Sequence, residues 1–333
     1  MTSVLQVNDL RVYFDTPRVL VKAVDGVSFA LNAGERFGLI GESGSGKSTI
    51  ALAIMRLLRP PGEVKSGEVL LDGENLLTLS DAEMRRRRLS SVAMVTQGAM
   101  NSLNPVIRIR QQFADGLNSH GMNLSKDEAR EHLAGLLTRV GLKREVADMY
   151  PHELSGGMKQ RVCIAFAISL RPSLIIADEP TSALDVVVQR QVMQTLRQVQ
   201  EDLGAAVILI GHDMGLMAQF ADTIGVLYAG KLVEQGPVRQ IFRKPEHPYT
   251  RLLMESLPSL EEKEALVGGF GSPPSAAERP LGCVFHPRCP YVMDRCIDID
   301  PEYRQVAPNQ WAACHLHDED VESPLTPLKE ARS

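Results

Sequence analysis

No stretch of the 333 residues approaches the roughly 18 consecutive apolar side chains that a membrane-crossing helix needs, which excludes a helical bilayer span. The first residues, Met1-Thr2-Ser3-Val4, lack the charged and apolar regions of a secretory signal, so the expectation is a soluble chain that stays inside the cell. Positive charge is not in excess: 36 Lys and Arg stand against 41 Asp and Glu, a formal net charge of -5. A broad electrostatic footprint for nucleic acid is therefore missing, and the one basic cluster, Arg85-Arg86-Arg87-Arg88, reads as a solvated helix face. Cysteine is scarce and unevenly placed. Four of the five cysteines fall between Cys283 and Cys314, unlike a disulfide framework spread over a secreted chain, and a metal site is the first reading of the cluster. No internal repeat is visible, and the length allows a core with an appendage, since single domains run to about 100–200 residues.

Apolar periodicity orders the rest. Val4 to Phe14 alternates like a strand, a second strand runs near Ala23 to Leu31, and a third, Gly67 to Leu71, meets the turn Asp72-Gly73. From about Pro105 to Leu154 the spacing becomes helical, as in Ala129, Leu133, Leu136, Leu137 and Val140, with Gly141 as C-cap. There follow a helix from Met158 to Leu170, a buried strand Leu174 to Ala177, a helix Val186 to Leu203 and a buried strand Ala206 to Ile210. Strands alternating with helices imply an α/β fold with a mainly parallel sheet covered on both faces. The Gly- and Pro-rich segment from Gly268 to Ser275 breaks all periodicity and reads as a linker.

Gly41-Glu42-Ser43-Gly44-Ser45-Gly46-Lys47-Ser48 fits the phosphate-binding pattern G-x-x-x-x-G-K-(S/T), between the strand-like Phe37-Gly38-Leu39-Ile40 and the apolar helical run Ile50 to Leu58. The glycines let N-H groups turn inward around the phosphates of a nucleoside triphosphate, and the following helix points its positive end at them. Lys47 supplies a cation near the β- and γ-phosphates; Ser48 offers a hydroxyl to Mg²⁺, with Thr49 as its substitute. At the end of the buried strand stand Asp178, suited to hold Mg²⁺, and Glu179, suited to orient and deprotonate the water that attacks the γ-phosphate. By itself such a pair is as ordinary as a helix cap; joined to the phosphate loop it favours hydrolysis.

Leu154-Ser155-Gly156-Gly157-Met158-Lys159-Gln160-Arg161 opens a helix with a cap serine and two glycines, which reads equally as a bland helix start or as a second phosphate contact. The segment is similar to the signature of the ATP-binding cassette family, and the resemblance spans roughly Val4 to Ile241. Asp178 follows Gly157 by 21 positions (178 minus 157), a separation like that of the family. The resemblance implies a nucleotide-binding domain over 1–255, with an N-terminal antiparallel β subdomain and a helical subdomain at about 98–160. It also implies that Gln97 senses Mg²⁺ and the attacking water, that Asp185 in Ser182-Ala183-Leu184-Asp185 forms the D-loop, and that His212 contacts the γ-phosphate. Phe14, or Tyr13 beside it, would stack on adenine. Mg²⁺ would be held by Ser48, Gln97 and Asp178. Cassettes of this family pair head to tail, so Gly41, Ser43, Gly44, Ser45, Gly46, Lys47 and Ser48 would bind this chain's ATP, while Ser155, Gly156, Gly157 and Gln160 would close a partner's site.

Gln97 to Pro105, the block His247-Pro248-Tyr249-Thr250-Arg251-Leu252-Leu253 and the segment from Cys283 to Tyr291 resemble the oligopeptide and dipeptide permease ATPases, although those often carry Asp-Pro where this chain has Gly98-Ala99. This branch implies an ATP-hydrolysing subunit powering peptide import, peripheral on the cytoplasmic face of the inner membrane. Its partners would be a second homologous ATPase subunit, two membrane-spanning permease subunits and an extracytoplasmic solute-binding protein, with no nucleic acid. Relatives of the branch also carry nickel, sugars or antimicrobial peptides, and a soluble cassette protein acting on ribosomes or nucleic acid is the rival reading. The cysteine spacing, Cys283-x5-Cys289-x6-Cys296-x17-Cys314, lacks the short pairs of zinc ribbons and does not name a metal. Similarity to the D-type ATPase subunits of dipeptide permeases implies a 4Fe-4S cluster over 283–317, with zinc kept as the alternative by His286, His315 and His317. Residues 256–282 are expected as linker and 318–333 as a flexible tail, and Cys163 in its apolar helical run as core.

Overall fold

The computed structural model describes residues 3–96, 98, 102–182, 184–256, 274, 279–321 and 325. The chain divides into two compact units, one built from 1–5, 31–36 and 71–210, the other from 6–30, 37–70 and 211–333. Elements are numbered in chain order.

The second of these units contains the phosphate loop. Strands β1 (Ser3–Asp15), β2 (Leu20–Asn32) and β4 (Gly62–Leu71) lie in the order β2-β1-β4. In β1 the inward series Leu5, Val7 is interrupted at Asp9, whose φ of 44° adds a residue before Leu10 and Val12 resume it. A neighbouring sheet runs β11 (Tyr303–Ala307), β12 (Gln310–Ala313), β10 (Lys231–Pro237), β9 (Thr223–Tyr228), β3 (Arg36–Ile40). Only β3 and β9 in this set are parallel, with Phe37 beside Thr223 and Ile40 beside Val226; β10, β12 and β11 follow antiparallel. The cysteine-bearing segment is thus not a detached appendage. Its hairpin extends the sheet through Glu234 beside Ala312 and Gln235 beside Trp311. Helices α1 (Lys47–Ile54), α7 (Met214–Phe220), α8 (Val238–Arg243), α9 (Pro248–Glu255) and α10 (Arg295–Asp298) complete the unit.

The other unit holds the parallel strands β6 (Val92–Val95), β7 (Leu174–Asp178) and β8 (Ala206–Ile210) in the order β8-β7-β6. Val92 pairs with Leu174 and Leu174 with Ala206, and every residue of β7 and β8 is buried. The unit also carries the two-residue β5 (Glu74–Asn75) and α2 (Asp81–Arg87), whose start is closed by a Ser80-Glu83 capping box and whose last turn exposes Arg85, Arg86 and Arg87 as a solvated face. The helical stretch resolves into α3 (Ile109–Ser119), α4 (Lys126–Arg139) and α5 (Gly156–Ala167). The spacing Ala129, Leu133, Leu136, Leu137 is the buried face of α4, and Gly141, at φ 69°, turns the chain out of it. Helix α6 (Val186–Leu203) buries Val192, Met193, Leu196 and Val199. Most of the 256–282 linker and of the tail beyond Val321 lies outside the described residues, whereas Asp318 and Asp320, expected in the flexible tail, form ion pairs with Arg295. Among the described residues no helix is long and apolar enough to cross a membrane.

Candidate functional site

Strand β3 delivers the chain into the phosphate loop, and sterics explain its glycines. Gly41 takes φ 148° and Gly46 φ 105°; a Cβ on Gly41 would lie 2.1 Å from the carbonyl oxygen of Leu227, and one on Gly46 2.3 Å from that of Ala23. Gly44 is also left-handed, at φ 77°, but meets nothing within 4 Å. Lys47 is buried and donates from Nζ to the carbonyls of Gly41 and Glu42, both at 2.8 Å, and to Ser45 Oγ at 3.2 Å. The ammonium is thereby folded across its own loop at the start of α1. Gly46, which has no side chain to cap with, opens α1, so the start of that helix stands directly behind the loop.

Asp178 ends β7 and is 4% exposed, while Glu179 follows with φ 45° and its N-H donated to the carbonyl of Ile210 at 2.9 Å. A left-handed glutamate is uncommon, and here it turns the chain sharply out of the strand. Ser155 caps α5 by accepting from the N-H of Met158 at 3.3 Å, and a Cβ on Gly157 would stand 2.4 Å from Cγ1 of Val188. The second signature glycine is thus required by α6 lying against it. Gln160, one turn on, is 3% exposed, and its Nε2 has no hydrogen-bond partner among the described residues. Asp185 caps α6 by accepting from Val187 and Val188 N-H at 3.1 and 3.0 Å. His212 is exposed just after β8. Thr49 lies in the first turn of α1, half-buried beside Ser48. Gln97 and Ala183 lie outside the described residues.

The two aromatic residues offered for adenine differ. Tyr13 donates its hydroxyl to Asp25 at 2.8 Å, with Lys22 Nζ 5.7 Å from its ring centre. Phe14 packs on the bare backbone of Gly62, where a Cβ would come within 2.6 Å of its ring. Tyr13 is tied into the Arg11-Asp25-Arg279 ion-pair network, so its ring is the more constrained of the two.

All five cysteines are free thiols. Cys283, Cys289, Cys296 and Cys314 stand close enough that every pair among them interacts electrostatically. Three share one local geometry: the sulfur of Cys283 accepts from the N-H of Phe285, that of Cys289 from Tyr291 and that of Cys314 from Leu316, each two residues on. Burial nevertheless pushes these thiols up, Cys289 to about 11. Among the described residues no three His, Cys, Asp or Glu side chains converge closely enough to hold a single metal ion. Neither the zinc nor the iron-sulfur expectation is thus supported by an assembled ligand group, and the three histidines each bond a neighbouring carbonyl. His286 Nδ1 lies 3.0 Å from the carbonyl of Cys283, His315 bonds Asp318 and the carbonyl of Ile299, and His317 Nε2 lies 2.8 Å from the carbonyl of Glu246. Cys163, expected in the core, is only half-buried in α5, and burial pushes its thiol up to about 11.

Sequence reasoning missed the supports of the phosphate loop. Tyr249, noticed only as part of a block, accepts the N-H of Glu42 at 2.9 Å, and Arg288 grips the Glu42 carboxylate. No local signal could have found a pair 246 positions apart.

A glycine loop that joins a parallel strand to a helix and encloses a buried lysine defines a nucleoside triphosphatase of the phosphate-loop class. Residues 24–182 match the family described as ABC transporter, and 233–296 match the one described as oligopeptide/dipeptide transporter, C-terminal region. The chain is 41% identical over 325 residues to the dipeptide transport ATP-binding protein DppD of Escherichia coli K12, covering 97% of this chain and 99% of the relative. It is 42% identical over 313 residues to the oligopeptide transport ATP-binding protein OppD of Salmonella typhimurium, covering 93% of this chain and 92% of the relative. Among solved structures it resembles the dimeric post-hydrolysis state of the ATP-binding cassette MJ0796 bound to ADP and Pi, with a TM-score of 0.63 and 28% identity over 71% of this chain and 99% of that one. The chain belongs to the ATP-binding proteins of ABC transporters, and it is an ATPase with the cassette fold.

Proposed function

We propose that this chain powers the import of di- or oligopeptides through an ABC transporter. The observation that carries the reading is the similarity to DppD and OppD, which runs the full length of the chain and includes the C-terminal region beyond the cassette. Residues 1–255 act as the nucleotide-binding domain, 256–282 as the connection, 283–317 as the cysteine segment and 318–333 as the tail. The cassette pairs with a second, homologous one beneath two membrane-spanning subunits that receive peptide from an extracytoplasmic binding protein.

In this reading the N-H groups of Gly44 to Ser48 wrap the phosphates of ATP, and Lys47 swings from the loop carbonyls to the β- and γ-phosphates. Ser48 and Asp178, with Gln97, would hold Mg²⁺, which would neutralise charge developing on the phosphates. Glu179 accepts the proton of the attacking water, and His212 stabilises the γ-phosphate. Ser155, Gly156 and Gly157 at the start of α5 face the nucleotide of the partner cassette, the N-terminal end of the helix favouring its negative charge, and Gln160 steadies that turn. Hydrolysis removes the shared ligand and lets the pair reopen.

For the cysteine segment, four mutually close thiols, three of them accepting a backbone N-H, fit a 4Fe-4S cluster better than one ion. Such bonds offset the charge of ligating thiolates, and a cluster spaces its ligands wider than a single ion does. Bound there, the cluster supplies a covalent cross-link of the segment.

The test is uptake of a labelled dipeptide by cells deleted for this chain. Wild-type protein should restore it, and Glu179→Gln should bind ATP yet restore none, with hydrolysis lowered at least about 100-fold. Undiminished dipeptide uptake in the deleted cells would remove the peptide assignment, and normal turnover by Glu179→Gln would remove Glu179 from its role.

A further inference from the structure

The phosphate loop is gripped from the cysteine segment. Glu42, the first residue after Gly41, has its N-H fixed by Tyr249 Oη at 2.9 Å, and its carbonyl accepts from Lys47 Nζ at 2.8 Å and from the N-H of Ser45 at 3.2 Å. Its side chain leaves the loop and meets Arg288, which donates from Nη1 to Oε2 at 2.8 Å and from Nη2 to Oε1 at 3.0 Å. This is the two-pronged geometry in which a guanidinium fixes both the distance and the rotation of a carboxylate. Arg288 is itself held. It is 7% exposed, donates also to Tyr228 Oη at 3.2 Å, and sits on the single turn His286–Arg288 between Cys283 and Cys289. Behind it Tyr228, Tyr249 and Phe285 pack as a triad, ring centres 4.5 Å apart for Tyr228 and Tyr249, 5.3 Å for Tyr228 and Phe285, and 5.4 Å for Tyr249 and Phe285.

We infer that Arg288 is a positioning residue for ATP: through Glu42 it sets the Gly41 to Ser45 backbone in the conformation that receives the phosphates. The ion pair fixes the loop from behind through the Glu42 side chain, so it lowers the ordering cost of binding rather than contacting ATP. It acts on the loop and touches neither the attacking water nor Mg²⁺, so its loss weakens nucleotide binding while leaving turnover of bound ATP nearly intact. The four-cysteine segment is thereby a strut of the nucleotide site, whatever metal group it carries.

The experiment measures binding of a fluorescent ATP analogue and steady-state ATPase kinetics on the full-length chain for wild type, Arg288→Gln, Glu42→Gln, the double variant and Arg288→Lys. Each single variant should raise Kd and KM about tenfold, the scale of one charged hydrogen-bonded contact, with kcat within about twofold. The double variant should be no worse than either single one, and Arg288→Lys, which keeps the charge and loses the fork, should fall between. An unchanged nucleotide Kd in Arg288→Gln, with or without a lowered melting point, overturns the inference, as do effects that multiply in the double variant. If Arg288→Gln fails to fold, Glu42→Gln, altered at a partly exposed side chain, decides the matter from the loop side.

Discussion

At the level of single residues, the glycines of the phosphate loop divide into two kinds that the sequence pattern treats alike. Gly46 is confined on two counts, a φ of 105° and a carbonyl oxygen 2.3 Å from any added Cβ, whereas Gly44 is confined only by its φ of 77°. An alanine at 44 should therefore cost about 1–2 kcal/mol, the ordinary strain of a left-handed residue, and one at 46 considerably more, because the backbone around Ala23 must also move. Urea denaturation of nucleotide-free Gly44→Ala and Gly46→Ala separates these costs; equal midpoints would show that close approach to Ala23 is not what keeps Gly46 small. Glu179 carries comparable strain at φ 45° with a full side chain, a cost consistent with its being placed for chemistry rather than for stability.

Among elements, the entry to α9 rests on a buried carboxylate. Glu234 of β10 is fully buried and accepts the N-H groups of Glu246 and His247 at 2.8 and 3.0 Å and Gln310 Nε2 at 2.7 Å. His247 in turn accepts the N-H of Tyr249 on Nδ1 at 3.0 Å, which requires a neutral ring, and Tyr249 reaches the phosphate loop. Burial pushes Glu234 up to about 7 and His247 down to about 3. Their linkages oppose one another. The folded chain holds a proton on Glu234 that the unfolded chain releases above 4.5, so this contribution is full below pH 4.5 and lost as pH rises to 7. The unfolded chain protonates His247 below 6.5 while the folded one does not, so that contribution is present above 6.5 and lost as pH falls. Glu234→Gln removes the first slope and exposes the second: the variant should gain stability between pH 5 and 7 where wild type stays flatter, a difference of at most about 3 kcal/mol in urea unfolding. Parallel pH profiles would place the proton elsewhere. Elements with strong periodicity of their own were legible without structure; α6 and β8 begin and end where the apolar pattern does. Helix α1 begins at Lys47, three residues before its apolar run, because Gly46 starts it with no polar cap to announce it. Strand β12 escaped because it is four residues whose identity comes from pairing with β10, far away in sequence.

Taken as a whole molecule, the chain reverses the usual relation between a core domain and its extension. Motif reading assigned the ATP chemistry to the cassette and left the C-terminal cysteines as an addition. The folded chain instead pairs β12 with β10 of the phosphate-loop sheet and places Arg288, between two of the cysteines, on the loop itself. The 4Fe-4S cluster proposed above for the cysteine segment would cross-link it. Protein purified without oxygen should therefore be brown and carry about four iron atoms per chain. Cys289→Ser should lose the iron and, because Arg288 is its immediate neighbour, also weaken ATP binding in the direction seen for Arg288→Gln. Stoichiometric zinc without iron would dismiss the cluster and leave the Arg288 strut standing. Loss of the iron in Cys289→Ser with nucleotide binding unaffected would show instead that the turn carrying Arg288 holds its shape without the metal.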